Sequence, residues 1–148
     1  MAKTHSTQRS SAAPSATGRA LLCLAVIACG LALRRFGFPL GLPAFAVKYG
    51  GSLLWGTMVF FLVALLLPRR PRRQVALIAL GIAILVELFR LVHTPWLDAF
   101  RLTTAGALLL GRIFSLWNMV AYAAGIVLAV AIDRLATSLR RDGRASVP

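Results

Sequence analysis

Acid is what this 148-residue chain has least of: four Asp and Glu stand against 17 Lys and Arg, a formal net charge of +13. Each carboxylate is therefore conspicuous. Charge of either sign is scarce too, at 14% of residues against about 25% in soluble proteins, which argues against a soluble globular domain. Cysteine is limited to Cys23 and Cys29, six residues apart in one apolar block, and the only histidines are His5 and His93. That spacing supports neither a disulfide framework nor a metal site, so both cysteines read as small apolar packing residues. The chain also lacks a nucleophile elbow, an HExxH pair, a Gly-rich phosphate loop and a CxxC, the local devices that mark common catalytic centres. Glu87 and His93 would make an acid–base pair only across different helix faces. The expectation is a protein that is not an enzyme and carries no cofactor and no metal.

What is present is hydrophobic sequence in long blocks, 59% of the chain. The length suits one compact unit, and the blocks make it an all-α polytopic membrane helix bundle. The basic residues cluster at block ends, where membrane proteins place them to fix orientation. That placement sets aside nucleic acid as a partner, despite the phosphate affinity of clustered Lys and Arg.

Four spans are expected: about Ala20–Leu33, beginning as early as Ala16 or running past Arg34; about Gly51–Leu67; about Gln74–Leu91; and about Phe114–Ile132, ending at Asp133-Arg134. The first is short for a hydrocarbon core of about 30 Å, and Arg34 and Arg35 relax the mismatch by snorkelling. Phe36–Val47, with Pro39 and Pro43, reads as a broken apolar connection. Leu102–Gly111 is too short to cross and reads as interfacial or re-entrant, buried against the bundle because lipid-exposed irregular backbone is costly. Residues 1–19 and 136–148 read as disordered cytoplasmic tails, leaving 20–135 as a single transmembrane domain. Val26-Ile-Ala-Cys29 resembles a lipoprotein cleavage signal, but the sequence stays apolar beyond it, so it is read as part of a span.

With four spans, 11 basic residues fall on one side and six on the other (Arg34, Arg35, Lys48, Arg90, Arg101 and Arg112). The bias puts both termini in the cytoplasm. Glu87 lies in Val75–Phe89, otherwise free of charge. A carboxylate in an apolar span costs about 2.5–3.5 kcal/mol on insertion scales, so it faces the protein interior and finds a partner, Arg90 being one turn on. The antiparallel path brings Ser52, Glu87, Arg90 and Asn118 to one depth, with Lys48, His93, Asp98, Arg101 and Arg112 just outside. Asn118, Tyr122, Gly125 and Ala129 share a helix face, Ala121, Gly125 and Ala129 permit close helix approach, and Ser52, Trp55 and Val59 share another face. Trp55, Trp96, Trp117 and Tyr49 fit an aromatic belt.

Two readings of this cluster compete. In one, Glu87, Arg90, Asn118 and Tyr122 only hold helices together. In the other, Lys48, Ser52, Glu87, Arg90, Arg101, Asn118 and Tyr122 line a ligand-binding pocket whose surplus of positive charge favours an anion, such as a lipid phosphate held by guanidinium forks.

The strings Arg34-Arg-Phe36, Lys48-Tyr-Gly-Gly-Ser-Leu-Leu-Trp55, Glu87-Leu-Phe-Arg90, Pro95-Trp96, Gly106-Ala-Leu-Leu-Leu-Gly111 and Phe114-Ser-Leu-Trp-Asn118, with Pro39, Arg101, Tyr122 and Gly125, resemble the small bacterial membrane proteins called domain of unknown function 2809. The likeness covers about residues 20–135, and that family in turn looks distantly similar to VanZ-like proteins. The resemblance implies a four- or five-span bacterial inner-membrane protein. It also implies an acid where Ser52 stands, Gln at Arg90 and an acid at Asn118, so this chain has two carboxylates fewer and one cation more than that pattern.

The resulting expectation is a non-enzymatic inner-membrane protein binding an anionic lipid or envelope precursor at the outer leaflet. Arg90, Arg101 and Lys48 would meet the anion and Glu87 would orient Arg90. The alternative is a small transporter or channel subunit in which Glu87 couples to an ion or proton. Transport would be favoured by internal inverted repeats, and none is visible. A structural partner of a larger complex is the third reading.

Overall fold

The computed structural model describes residues 16–110 and 114–145, with side chains to residue 139. The described residues form six helices: α1 (Ala16–Phe36), α2 (Ala44–Leu66), α3 (Arg72–Phe89), α4 (Pro95–Leu102), α5 (Thr104–Leu109) and α6 (Leu116–Ala145). The described residues contain no strand, and the chain is an all-α membrane helix bundle. By length and composition, α1, α2 and α6 over Leu116–Leu139 can each cross a membrane, so the protein is multi-pass.

The span expected at about Gln74–Leu91, here α3, falls short of that standard. It has 18 residues and carries Arg72, Arg73 and Glu87, against a need for about 20 largely apolar residues. Two of these charges, Arg72 and Glu87, are nevertheless paired within the bundle, while Arg73 is exposed. Arg72 pairs with Asp133 of α6 at one end, and Glu87 pairs with Arg90 beside α6 at the other. Fifteen residues separate Arg72 from Glu87 and also Asn118 from Asp133, so α3 and α6 run antiparallel between two polar layers about 22 Å apart at 1.5 Å per residue.

The element boundaries follow local chemistry. Pro43 caps α2 with φ −66° and ψ 148°, so the helix begins at Ala44 and takes in Lys48 and Tyr49, seven residues ahead of the expected Gly51. The residue before a proline resists the α region, and Pro39 and Pro43 confine the connection to the turn after Phe36. Gly41 in that turn has φ 78°, a left-handed conformation that glycine adopts without steric cost. The segment expected to be interfacial or re-entrant, Leu102–Gly111, is mostly α5, capped by Thr103 Oγ1 accepting from Gly106 N–H. Together with α4 it forms a short helical pair; Gly111 and Arg112 lie outside the described residues.

Two expected tails are corrected in part. Residues 16–19 belong to α1 with Arg19 buried, and α6 continues through 136–145 instead of giving way to disorder. The cause is one carboxylate. Asp133 is fully buried and accepts from Arg19 Nε (3.0 Å) and from Arg72 Nε. Thr137, one turn on, accepts from Arg72 Nη2. These contacts hold α6 against the bundle as far as Thr137.

Helix α2 is the hub, packed against α1, α3 and α6. It is apolar on every side, as a helix surrounded by others must be, and the consecutive Phe60 and Phe61 are both fully buried with rings edge to face at 5.5 Å. The closest packing is with α6. A Cβ on Gly56 would stand 2.6 Å from the Tyr122 carbonyl oxygen, and one on Gly125 would overlap the Leu53 carbonyl. The Thr57 hydroxyl donates to the Gly125 carbonyl at 2.8 Å. Small residues thus let the two backbones approach.

Candidate functional site at the Glu87 end of the bundle

Val75, Ala79, Ala83 and Glu87 recur every fourth residue on α3 and are all buried. That stripe directs Glu87 inward, where it is fully enclosed. Its Oε1 accepts from the Ser115 backbone N–H (2.7 Å) and from Asn118 Nδ2 (3.2 Å). Its Oε2 accepts from the Tyr122 hydroxyl (3.0 Å) and pairs with Arg90 Nη1. Arg90 also donates from Nη2 to the Tyr122 oxygen (2.9 Å) and from Nε to the Leu110 carbonyl. Ser52 Oγ lies 3.2 Å from both Asn118 Oδ1 and the Lys48 carbonyl, and Trp55 packs on the Tyr122 ring at 5.0 Å.

Five of the seven candidate residues, Ser52, Glu87, Arg90, Asn118 and Tyr122, thus form one hydrogen-bonded cluster joining α2, α3 and α6. Four donors meet the carboxylate, which is what a charge removed from water requires.

Arg101 and Lys48 lie apart from this cluster. Arg101, on α4, is 3% exposed and donates to the Val92 carbonyl (2.7 Å), the Phe89 carbonyl (2.6 Å) and Asp98 Oδ1 (3.1 Å). Two of these acceptors are carbonyls at and beyond the C-terminus of α3, where a helix leaves groups for side chains to satisfy; the Phe89 carbonyl also takes the Val92 N–H at 3.1 Å. Asp98 also faces the exposed His93 at 3.2 Å. Among the described residues, the Arg101 Nε and the Thr94 hydroxyl are buried without a partner. The Lys48 ammonium sits 5.1 Å over the Tyr49 ring. Arg34, Arg35 and Lys48 are all exposed, and among the described residues no hydrogen-bond acceptor takes their charged ends.

The second polar layer, Arg19, Arg72, Asp133 and Thr137, escaped sequence reasoning. A signal existed. The stripe Asn118, Tyr122, Gly125, Ala129 continues in the same rhythm to Asp133, which therefore belongs on the buried face. Among the described residues no three His, Cys, Asp or Glu side chains converge as a metal site would need.

No solved structure matches this chain. The family model described as protein of unknown function (DUF2809) matches residues 41–126, from the start of α2 through the Glu87 cluster to the middle of α6. The match takes in more than half of the chain, which therefore belongs to the DUF2809 family.

Proposed function

We propose that the protein binds anionic, phosphate-bearing lipid or a lipid-linked envelope precursor at the outer leaflet of a bacterial inner membrane, and catalyses no reaction. One observation carries the reading: the cations at this end divide into two sets. Arg90 and Arg101 are inside, spending their N–H groups on Glu87, Tyr122, Asp98 and backbone carbonyls. Arg34, Arg35 and Lys48 are outside, without an acceptor among the described residues. A cation near an anionic membrane surface is worth about 1 kcal/mol, so the outer set supplies recognition while the inner set braces the helices.

The orientation, with both termini cytoplasmic, rests on the 11-to-6 charge bias counted with α3 crossing alongside α1, α2 and α6. A role for Glu87 in ion or proton coupling is the weaker reading, because its carboxylate is met by four protein donors. Native mass spectrometry of the purified protein tests the proposal. The parent should retain anionic phospholipid, and the triple variant Arg34→Gln, Arg35→Gln, Lys48→Gln should lose most of it while remaining folded. Equal retention would contradict the reading.

A further inference from the structure

Beside the outer cations lies a cleft of about 180 Å³ between α1, α2 and α5. Its wall is hydrocarbon, including Val26, Leu54, Trp55 and Leu108, with Gly30 among the lining residues and one charged group, Arg34. The arrangement is that of an amphiphile site: an apolar slot with a single cation, whose guanidinium no described residue accepts from. A buried chain gains from leaving water or from displacing loosely held lipid, and the charged end requires an anion in return.

We propose that this cleft seats one hydrocarbon chain of an anionic phospholipid, with the phosphate held by Arg34. The proposal rests on the lipid-binding reading above and gives it a place. Glycine at position 30 keeps the slot open: a Cβ there would meet only Leu54 Cβ, at 3.9 Å. A larger side chain at that position therefore enters the cleft rather than driving helices apart. Gly51 borders the charged group, its Cβ position being 3.7 Å from Arg34 Nε.

Trp55 in the wall reports on occupancy. The chain has three tryptophans, and the other two, Trp96 and Trp117, are 70% and 68% exposed, so Trp96→Phe with Trp117→Phe leaves Trp55 alone at little structural cost. That protein is placed in phosphatidylcholine nanodiscs containing a fixed share of either dibrominated phosphatidylglycerol or dibrominated phosphatidylcholine, and Trp55 quenching is compared. The anionic lipid should quench more strongly. Arg34→Gln should cut that preference about fivefold, the worth of one cation against an anionic headgroup. Gly30→Leu should suppress quenching by both lipids, with Gly30→Ala as a milder filling. Equal quenching by the two lipids in the parent, or quenching untouched by Gly30→Leu, would overturn the cleft assignment. In that event, anionic lipid still co-purifying with the parent would leave the broader reading to Arg35 and Lys48. Loss of any anionic preference in co-purification would remove both.

Discussion

Glu87 shows how much a single side chain organises here. A carboxylate in a low-dielectric interior is tolerable only when charge and hydrogen bonds replace water, and Arg90, Tyr122, Asn118 and the Ser115 N–H supply them. Glu87→Gln strands the Arg90 guanidinium, so we predict a loss of about 3–5 kcal/mol in detergent unfolding, the range for breaking a buried pair. Asn118→Ala removes two interhelical hydrogen bonds, to Glu87 and from Ser52, and should cost about 1.2 kcal/mol at the membrane average of about 0.6 each. Comparable losses from the two would contradict the assigned hierarchy. The grouping of Ser52, Glu87, Arg90, Asn118 and Tyr122 was legible in the sequence, because helical periodicity and an antiparallel path suffice to align them. The place of Arg101 was not. Its partners are main-chain carbonyls at and beyond the end of α3, set by the turn into α4, and no side-chain pattern announces where a carbonyl will point.

Among the helices, the α2–α6 contact is the tightest, and it is made by absence of side chain. Gly56→Val and Gly125→Val each press a branched side chain onto the partner backbone. We predict a cost above the 1–3 kcal/mol usual for overpacking, because backbone cannot step aside as a side chain can. Gly81, with nothing within 4 Å of its Cβ position, is the control: Gly81→Ala should leave the thermal midpoint unchanged or raise it, since alanine is the better helix former. A destabilising Gly81→Ala equal to Gly56→Val would refute the packing account. Spans α1, α2 and α6 were readable from apolar length. The continuation of α6 past Ile132 was hidden because Asp133-Arg134 looks like a helix reaching water, whereas Asp133 is neutralised inside by Arg19 and Arg72. The start of α2 was misplaced at about Gly51 because Pro43 reads as a break, whereas it caps a helix that begins at Ala44.

At the scale of the whole molecule, two ionic layers hold opposite ends of the bundle: Glu87 with Arg90 at one, and Asp133 with Arg19 and Arg72 at the other. Three of the chain's four acids are thus engaged with arginine once Asp98 and Arg101 are counted with them. If both termini are cytoplasmic, reporter fusions after Pro148 and within Arg69–Arg73 will both read cytoplasmic; an external signal from either would overturn that orientation. The central claim is the division between bracing and recognising cations, and the most direct test is the thermal midpoint measured against increasing phosphatidylglycerol in phosphatidylcholine, since a ligand that binds the native state raises it. The account predicts that Arg101→Gln lowers the midpoint at every composition yet keeps the lipid-dependent rise. Arg34→Gln with Lys48→Gln should start at the parental midpoint and lose most of that rise. A rise abolished by Arg101→Gln and intact in the Arg34 and Lys48 double variant would contradict it.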